Sequence, residues 1–184
     1  MRKLALATAL LLGGAATASA GPAISVTSAD IKPGAKIADE QVANAFGCSG
    51  KNTSPAISWS GAPKGTKSFA LSIYDPDAPT GSGFWHWVAF NIPPDTTSLP
   101  KNAGDPKANL MPAGTVQSGN DTGMKGYFGP CPPKGDKPHH YQITVFALDT
   151  DKLDLPASAT AAYVGFNLHA HTLATARLTA LYDR

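Results

Sequence analysis

The feature that most restricts this chain is its punctuation. Over residues 21–133, turn-favouring residues recur roughly every eight to twelve positions, with short apolar or alternating runs between them, a rhythm of short strands rather than of long helices. The 184 residues include 18 Gly and 16 Pro, which excludes a helical bundle over this stretch, and the 42% hydrophobic content excludes a disordered chain. A single domain over residues 21–184 is expected, large enough to bury a core without a metal scaffold. Residues 68–74 (SFALSIY) alternate so that Phe69, Leu71 and Ile73 share one face. Residues 85–92 (WHWVAFNI) and 141–148 (YQITVFAL) are apolar on both faces and read as central strands. Residues 56–60 and 24–27 are shorter candidates, the latter for an edge strand. Residues 93–137 read as a long loop, a length usual for functional segments. Residues 39–46 suggest a short helix with Asp39 as N-cap and Gly47 as its end, and residues 157–181, free of Pro and rich in Ala and Leu, suggest two helices. Strands followed by helices favour separate layers over an alternating parallel sheet.

Residues 1–20 have the three parts of a secretory leader: Arg2 and Lys3, an apolar run over 4–12, and Ala18-Ser19-Ala20 as a cleavage site ending at Ala20. The run is short of the ~20 apolar residues of a membrane span, so a periplasmic or secreted product with no transmembrane segment after processing is expected. Loss of Arg2 and Lys3 brings the basic side chains down to the 13 acidic ones, a formal charge of zero. No basic stripe interleaved with aromatics remains, so nucleic acid is not an expected partner. The two cysteines, Cys48 and Cys131, are an even count in an exported chain, which points to a disulfide closing a long loop, worth about 4 kcal/mol on the chain-entropy model; two separate thiols are the alternative.

The polar groups that call for explanation lie at strand ends. Asp75 and Asp77 follow an apolar strand in DPDAP, where Pro76 and Pro79 stiffen the backbone; an ordinary Asp turn would look the same. His86 sits between Trp85 and Trp87, as a core histidine or a cavity wall. His139 and His140 precede Tyr141, and alternation places His139 and Tyr141 on one face with His140 on the other. Imidazoles, a Tyr hydroxyl and backbone N–H groups suit a small anion, with the carboxylates orienting the imidazoles. There is no G-x-S-x-G elbow, and His169-Ala170-His171 matches no specific zinc spacing, so neither a catalytic nucleophile nor a metal or other cofactor is expected.

The segments GCSGKNTSPAISW (47–59), YDPDAPTGSGFWHWVAFNIP (74–93), GYFGPCPPKGDKPHHY (126–141) and GFNLHAHTLATA (165–176) together resemble the phosphatidylethanolamine-binding protein family, in its bacterial YbhB/YbcL-type, Raf-kinase-inhibitor-like branch. The resemblance implies a mainly β fold: a sandwich of two antiparallel sheets with a small C-terminal helical cap. It also implies a shallow pocket for phosphate or a phosphoethanolamine-like head group. By motif position it places Asp75, Asp77, His86, His139 and Tyr141 at that pocket, with the loop of Gly129, Pro130, Cys131, Pro132 and Pro133 contributing backbone N–H groups. A Cys48–Cys131 disulfide would tie this loop down. His140 stands where the family often has Arg, which removes a permanent charge and a bidentate donor and predicts weaker or pH-dependent anion affinity.

The expected function is therefore that of an exported, non-enzymatic binding protein for a small anion or lipid head group. A second reading is an inhibitor or regulator of a protein partner, such as a protease or another envelope protein. A third is a hydrolase using His86 and Asp75 to activate water. The resemblance also makes a homodimer an expectation.

Overall fold

The computed structural model describes residues 24–184, so the leader expected over 1–20 lies outside the described residues. The elements follow in the order β1 (Ser25–Thr27), β2 (Ile57–Ser60), β3 (Ser68–Asp75), β4 (Phe84–Ile92), β5 (Ser98–Leu99), β6 (Val116–Gln117), β7 (His139–Leu148), α1 (Ala161–His171) and β8 (Thr172–Tyr182). They build a small sheet, β1-β2-β5, and a larger one, β6-β4-β3-β7-β8, with neighbouring strands antiparallel throughout. The fold is the expected mainly β sandwich of two antiparallel sheets with one short helix near the C-terminus.

Alternation explains how the layers meet. Phe69, Leu71 and Ile73 of β3 and Ile143 and Val145 of β7 face the small sheet, where they pack with Ile57 and Trp59. The opposite face of the large sheet is also covered: Ala70, Val88, Phe90 and Leu148 lie beneath Ala161, Val164 and Leu168 of α1. Burying each such Val, Leu, Ile or Phe side chain stabilises the fold by about 1.5–3 kcal/mol, so both faces of β3 and β4 contribute. This is why the one-sided pattern of residues 68–74 understates their burial.

Two local expectations are corrected. Residues 157–181 do not form two helices. Thr160 caps α1 by accepting the Tyr163 N–H at 3.2 Å, the Thr172 hydroxyl donates to the Leu168 carbonyl at 2.6 Å, and the chain turns directly into β8. The three-and-four spacing of Leu173, Ala176 and Ala180 is overridden by pairing with β7 along the length of both strands, which buries Ala176, Leu178, Ala180 and Tyr182 on one face. Residues 39–46 form turns instead of a helix. The carbonyls of Asp39, Glu40 and Val42 accept N–H groups from Lys51, Thr53 and Asn52, so this backbone is bonded to a returning segment. Phe46 and Gly47 then take left-handed conformations (φ 53° and 81°) that reverse the chain.

Candidate functional site

The residues singled out at strand ends gather where β3, β4 and β7 finish side by side. A β-bulge sets the arrangement in β4. Ile73 pairs with Trp87 but Tyr74 pairs with Trp85, so His86 is the extra residue. Regular alternation from Trp87 and Ala89 would send His86 outward with Val88. The bulge instead turns His86 to the inner side, as bulges next to sites commonly do, while Trp85 stacks on Tyr74 outside with ring centroids 4.4 Å apart.

His86 is 4% exposed and held at two points by Phe128: its Nδ1–H donates to the Phe128 carbonyl at 2.7 Å, and the Phe128 N–H donates to its carbonyl at 2.8 Å. Burial depresses its pKa from 6.5 to about 4, against the opposing pull of the Phe128 and Gly129 carbonyls and the Asp75 and Asp121 charges. At neutral pH the ring is uncharged. Its partner ring is Tyr141, 5.1 Å away edge-on.

Asp75 ends β3 on the same inner face. One carboxylate oxygen accepts the Asp77 N–H at 2.9 Å, a turn that Pro76 stiffens, and the other accepts His139 Nδ1–H at 2.7 Å. His139 and Asp75 are both almost fully buried. Burial alone would lower the His139 pKa, but the Asp75 hydrogen bond and charge, with Asp136 and Asp77 behind them, raise it above the ordinary value. Its Nε2 reaches Asp136 at 3.4 Å. Tyr141, also buried, lies beside Asp75; burial first, then the Asp75 charge, raises its pKa, so it stays a phenol.

These groups line one end of a cavity of about 140 Å³. Asp75, His86, His139 and Tyr141 supply its polar wall, and Phe46, Phe84, Phe128, Pro79, Pro132 and Pro133 its apolar rim. Phe46 is 71% exposed at the mouth.

The rim is braced by a Cys48–Cys131 disulfide with Cα atoms 6.0 Å apart. Arg184 adds a second brace: its Nε donates to the Pro132 carbonyl at 2.6 Å and Nη2 to the Phe46 carbonyl at 3.3 Å. Asn52 holds the loop from beneath, accepting the Gly129 N–H at 2.8 Å.

Not every expected site residue reaches the cavity. Gly129 and Pro130 lie behind it, against the 41–43 segment; a Cβ on Gly129 would sit 2.2 Å from the Gln41 carbonyl oxygen, so glycine is required there by packing. The backbone N–H donors of this loop are few: Gly129 spends its N–H on Asn52 and Pro130, Pro132 and Pro133 have none, which leaves that of Cys131. Cys131 and Pro132 do line the cavity, whereas Asp77 turns outward to His140, accepting its backbone N–H at 2.7 Å and its Nδ1–H at 2.8 Å. Burial would raise the Asp77 pKa, but these bonds outweigh it and lower it. His140 does not line the cavity, so replacing Arg by His at this position leaves the wall unchanged. Asp75 and His86 do not hydrogen-bond to each other: Asp75 accepts from His139, and His86 donates to the Phe128 carbonyl. His171 pairs with Asp149 at 2.9 Å at the end of α1, and His169 is exposed; among the described residues no group of three or more ligands is placed to hold a metal.

Sequence reasoning missed Phe46, Ala78, Thr80, Phe84, Phe128, Asp136 and Arg184. Phe84 was findable, because it stands two positions before His86 on a strand. Arg184 carried no local signal at all.

The family model described as phosphatidylethanolamine-binding protein matches residues 27–183. The chain belongs to the phosphatidylethanolamine-binding protein family. Among its relatives, the UPF0098 protein YbcL of Escherichia coli (strain K12) is 52% identical over 161 residues, 88% of each chain. The UPF0098 protein YbhB of the same organism is 47% identical over 156 residues, 85% of this chain and 98% of that one. The crystal structure of E. coli YbcL, described as a new member of the mammalian PEBP family, superposes with a TM-score of 0.87 at 50% identity, covering 89% of this chain and 99% of that one. As a member of the phosphatidylethanolamine-binding protein family, this chain has a binding-protein fold, and among the described residues no helix is long and apolar enough to cross a membrane.

Proposed function

We propose that this family member is an exported, non-enzymatic binding protein whose cavity holds a small anion, such as phosphate or a phosphoethanolamine-like head group. The observation that carries this is the buried Asp75–His139 pair. The neighbouring carboxylates keep His139 protonated to higher pH than an ordinary histidine, and Nε2–H is left with a single long contact to a half-exposed Asp136. An incoming anion can take that N–H as a charge-assisted bond. The Phe46, Phe84, Phe128 and proline rim suits the carbon skeleton of an ester or head group above it. Export is supported by the leader pattern of residues 1–20 and by the disulfide, since such bonds persist in oxidising compartments.

Calorimetric titration with phosphoethanolamine tests the reading. Wild-type protein is expected to bind and His139→Ala to lose binding while keeping its fold by circular dichroism. Equal binding by both proteins would move the site elsewhere.

A further inference from the structure

We infer that the groove between α1 and the outer face of the large sheet is a second binding site, for a small neutral aromatic molecule that carries one hydrogen-bonding group. The groove lies on the opposite face of the sheet from the cavity and shares no lining residue with it.

The groove encloses about 400 Å³, within the range of small-molecule sites. Ser72 and Val88 line it from the sheet, Trp85 and Phe146 flank them, and Ala162 and Gly165 line it from α1. The bulge that turns His86 inward is what leaves Trp85 on this outer face. There its stack on Tyr74 holds the ring in place, and the Tyr74 hydroxyl donates in turn to the Ser82 carbonyl at 2.9 Å. No residue of α1 is Asp, Glu, Lys or Arg, and no such residue lines the groove. A charged ligand would give up its hydration there without finding a counter-charge, so the site suits a neutral one.

Two residues point to an occupant. Gly165 stands inside the helix, its φ is outside the left-handed region, and a Cβ there would meet nothing within 4 Å. Neither backbone conformation nor packing requires glycine, which is among the least stable choices in a helix interior. What the missing side chain preserves is the open groove. Ser72 is the second residue. It is 4% exposed, yet its hydroxyl has no hydrogen-bond partner among the described residues and is not one of their sealed atoms, so it opens onto the groove that it lines. A hydroxyl can both donate and accept, and in apolar surroundings it suits a ligand with a single polar group. Water can satisfy Ser72 but leaves the apolar walls wet, whereas a ring bearing a hydroxyl keeps that bond and covers the walls. Trp85 and Phe146 favour an aromatic ring, through offset or edge-on packing.

Titration of the protein with naphthol, naphthalene and naphthoate, followed by nitrogen NMR, tests this. Naphthol is expected to shift the Trp85 indole N–H and the backbone of residues 161–168. Shifts confined to Phe46, His86 and Phe128 would put the ring in the cavity and overturn the inference, as would no binding at all. Gly165→Leu fills the groove with a side chain that the helix favours; it should raise the melting temperature and weaken naphthol binding by at least about tenfold. Unchanged binding by that variant would remove the site. Ser72→Ala should weaken naphthol about fivefold and leave naphthalene unaffected, the mark of one hydrogen bond. Equal effects on the two ligands would refute the role of the hydroxyl. Naphthoate is expected to bind at least about tenfold more weakly than naphthol, and parity would refute the preference for a neutral ligand. Sedimentation showing a dimer that Gly165→Leu dissociates would give the groove to a second copy of the chain, with the 78% exposed Phe166 as the inserted ring, and overturn the small-molecule assignment.

Discussion

Two histidine–aspartate pairs stand back to back on neighbouring residues of β7, and they differ in almost everything but chemistry. His139 and Asp75 meet at 2.7 Å on the inner face with 4% and 3% of their side chains exposed; His140 and Asp77 meet at 2.8 Å on the outer face with 55% and 41% exposed. The carboxylates come from one DPD turn, where the Asp77 N–H also ties the two together. Pairing motif for motif is therefore not enough to find a site. Burial decides which pair holds a directed, perturbed imidazole and which is a solvated clasp on a turn.

The largest effect should come from breaking the inner pair. Asp75→Asn leaves a buried imidazole without its counter-charge and is expected to cost about 3–5 kcal/mol in denaturant unfolding, with loss of phosphate binding. A cost near that of an exposed pair would mean the inner pair is not special. Next, acid should act on the inner face in two opposed ways. His86 is neutral in the fold down to about pH 4 but protonates near 6.5 when unfolded, so stability falls by roughly 3 kcal/mol as pH drops through that window. His139, with its pKa raised, contributes stability that is full below about 6.5 and is lost as pH rises through its folded value. Proton NMR should show the two rings titrating on opposite sides of 6.5; coincident midpoints would contradict the assigned environments.

A smaller effect, confined to the inner face, is expected from the disulfide. Reduction of Cys48–Cys131 should weaken stability by about 2–4 kcal/mol, the chain-entropy value being the upper end, and weaken phosphate binding before the domain unfolds, since one of its cysteines lines the cavity. Identical phosphate affinities with and without reductant would show that Arg184 and Asn52 hold the rim alone. The smallest effect belongs to the outer pair: His140→Arg should change stability by less than about 0.5 kcal/mol and leave phosphate affinity within about twofold. A large gain in affinity would mean that position 140 reaches the ligand after all.

The inner pair was half legible in the sequence. Alternation put His139 and Tyr141 on one face, and the DPD turn put carboxylates where β3 stops. Nothing in the spacing separated Asp75 from Asp77, because that choice depends on which side of the sheet each emerges, a property of the folded turn. The facing of His86 was hidden for a related reason: a bulge shifts register by one residue without any change in composition. The strand β8 was misread because Ala and Leu favour helices in isolation, while the exposed edge of β7 offered partners along its whole length. Arg184 was invisible, since its role consists of two carbonyls more than fifty positions away or further.

That last residue has a practical consequence for anyone who handles the protein. Because its guanidinium is packed against Pro132 and Phe46 and its own carbonyl accepts the Gly135 N–H at 3.1 Å, whatever is attached after position 184 emerges beside the mouth of the cavity. A purification handle or fluorescent reporter there would crowd the opening, and a polyhistidine one would place extra imidazoles beside a site whose own imidazoles are under study. Labels for ligand-binding work belong away from that mouth, for example on the exposed side chain of Lys152.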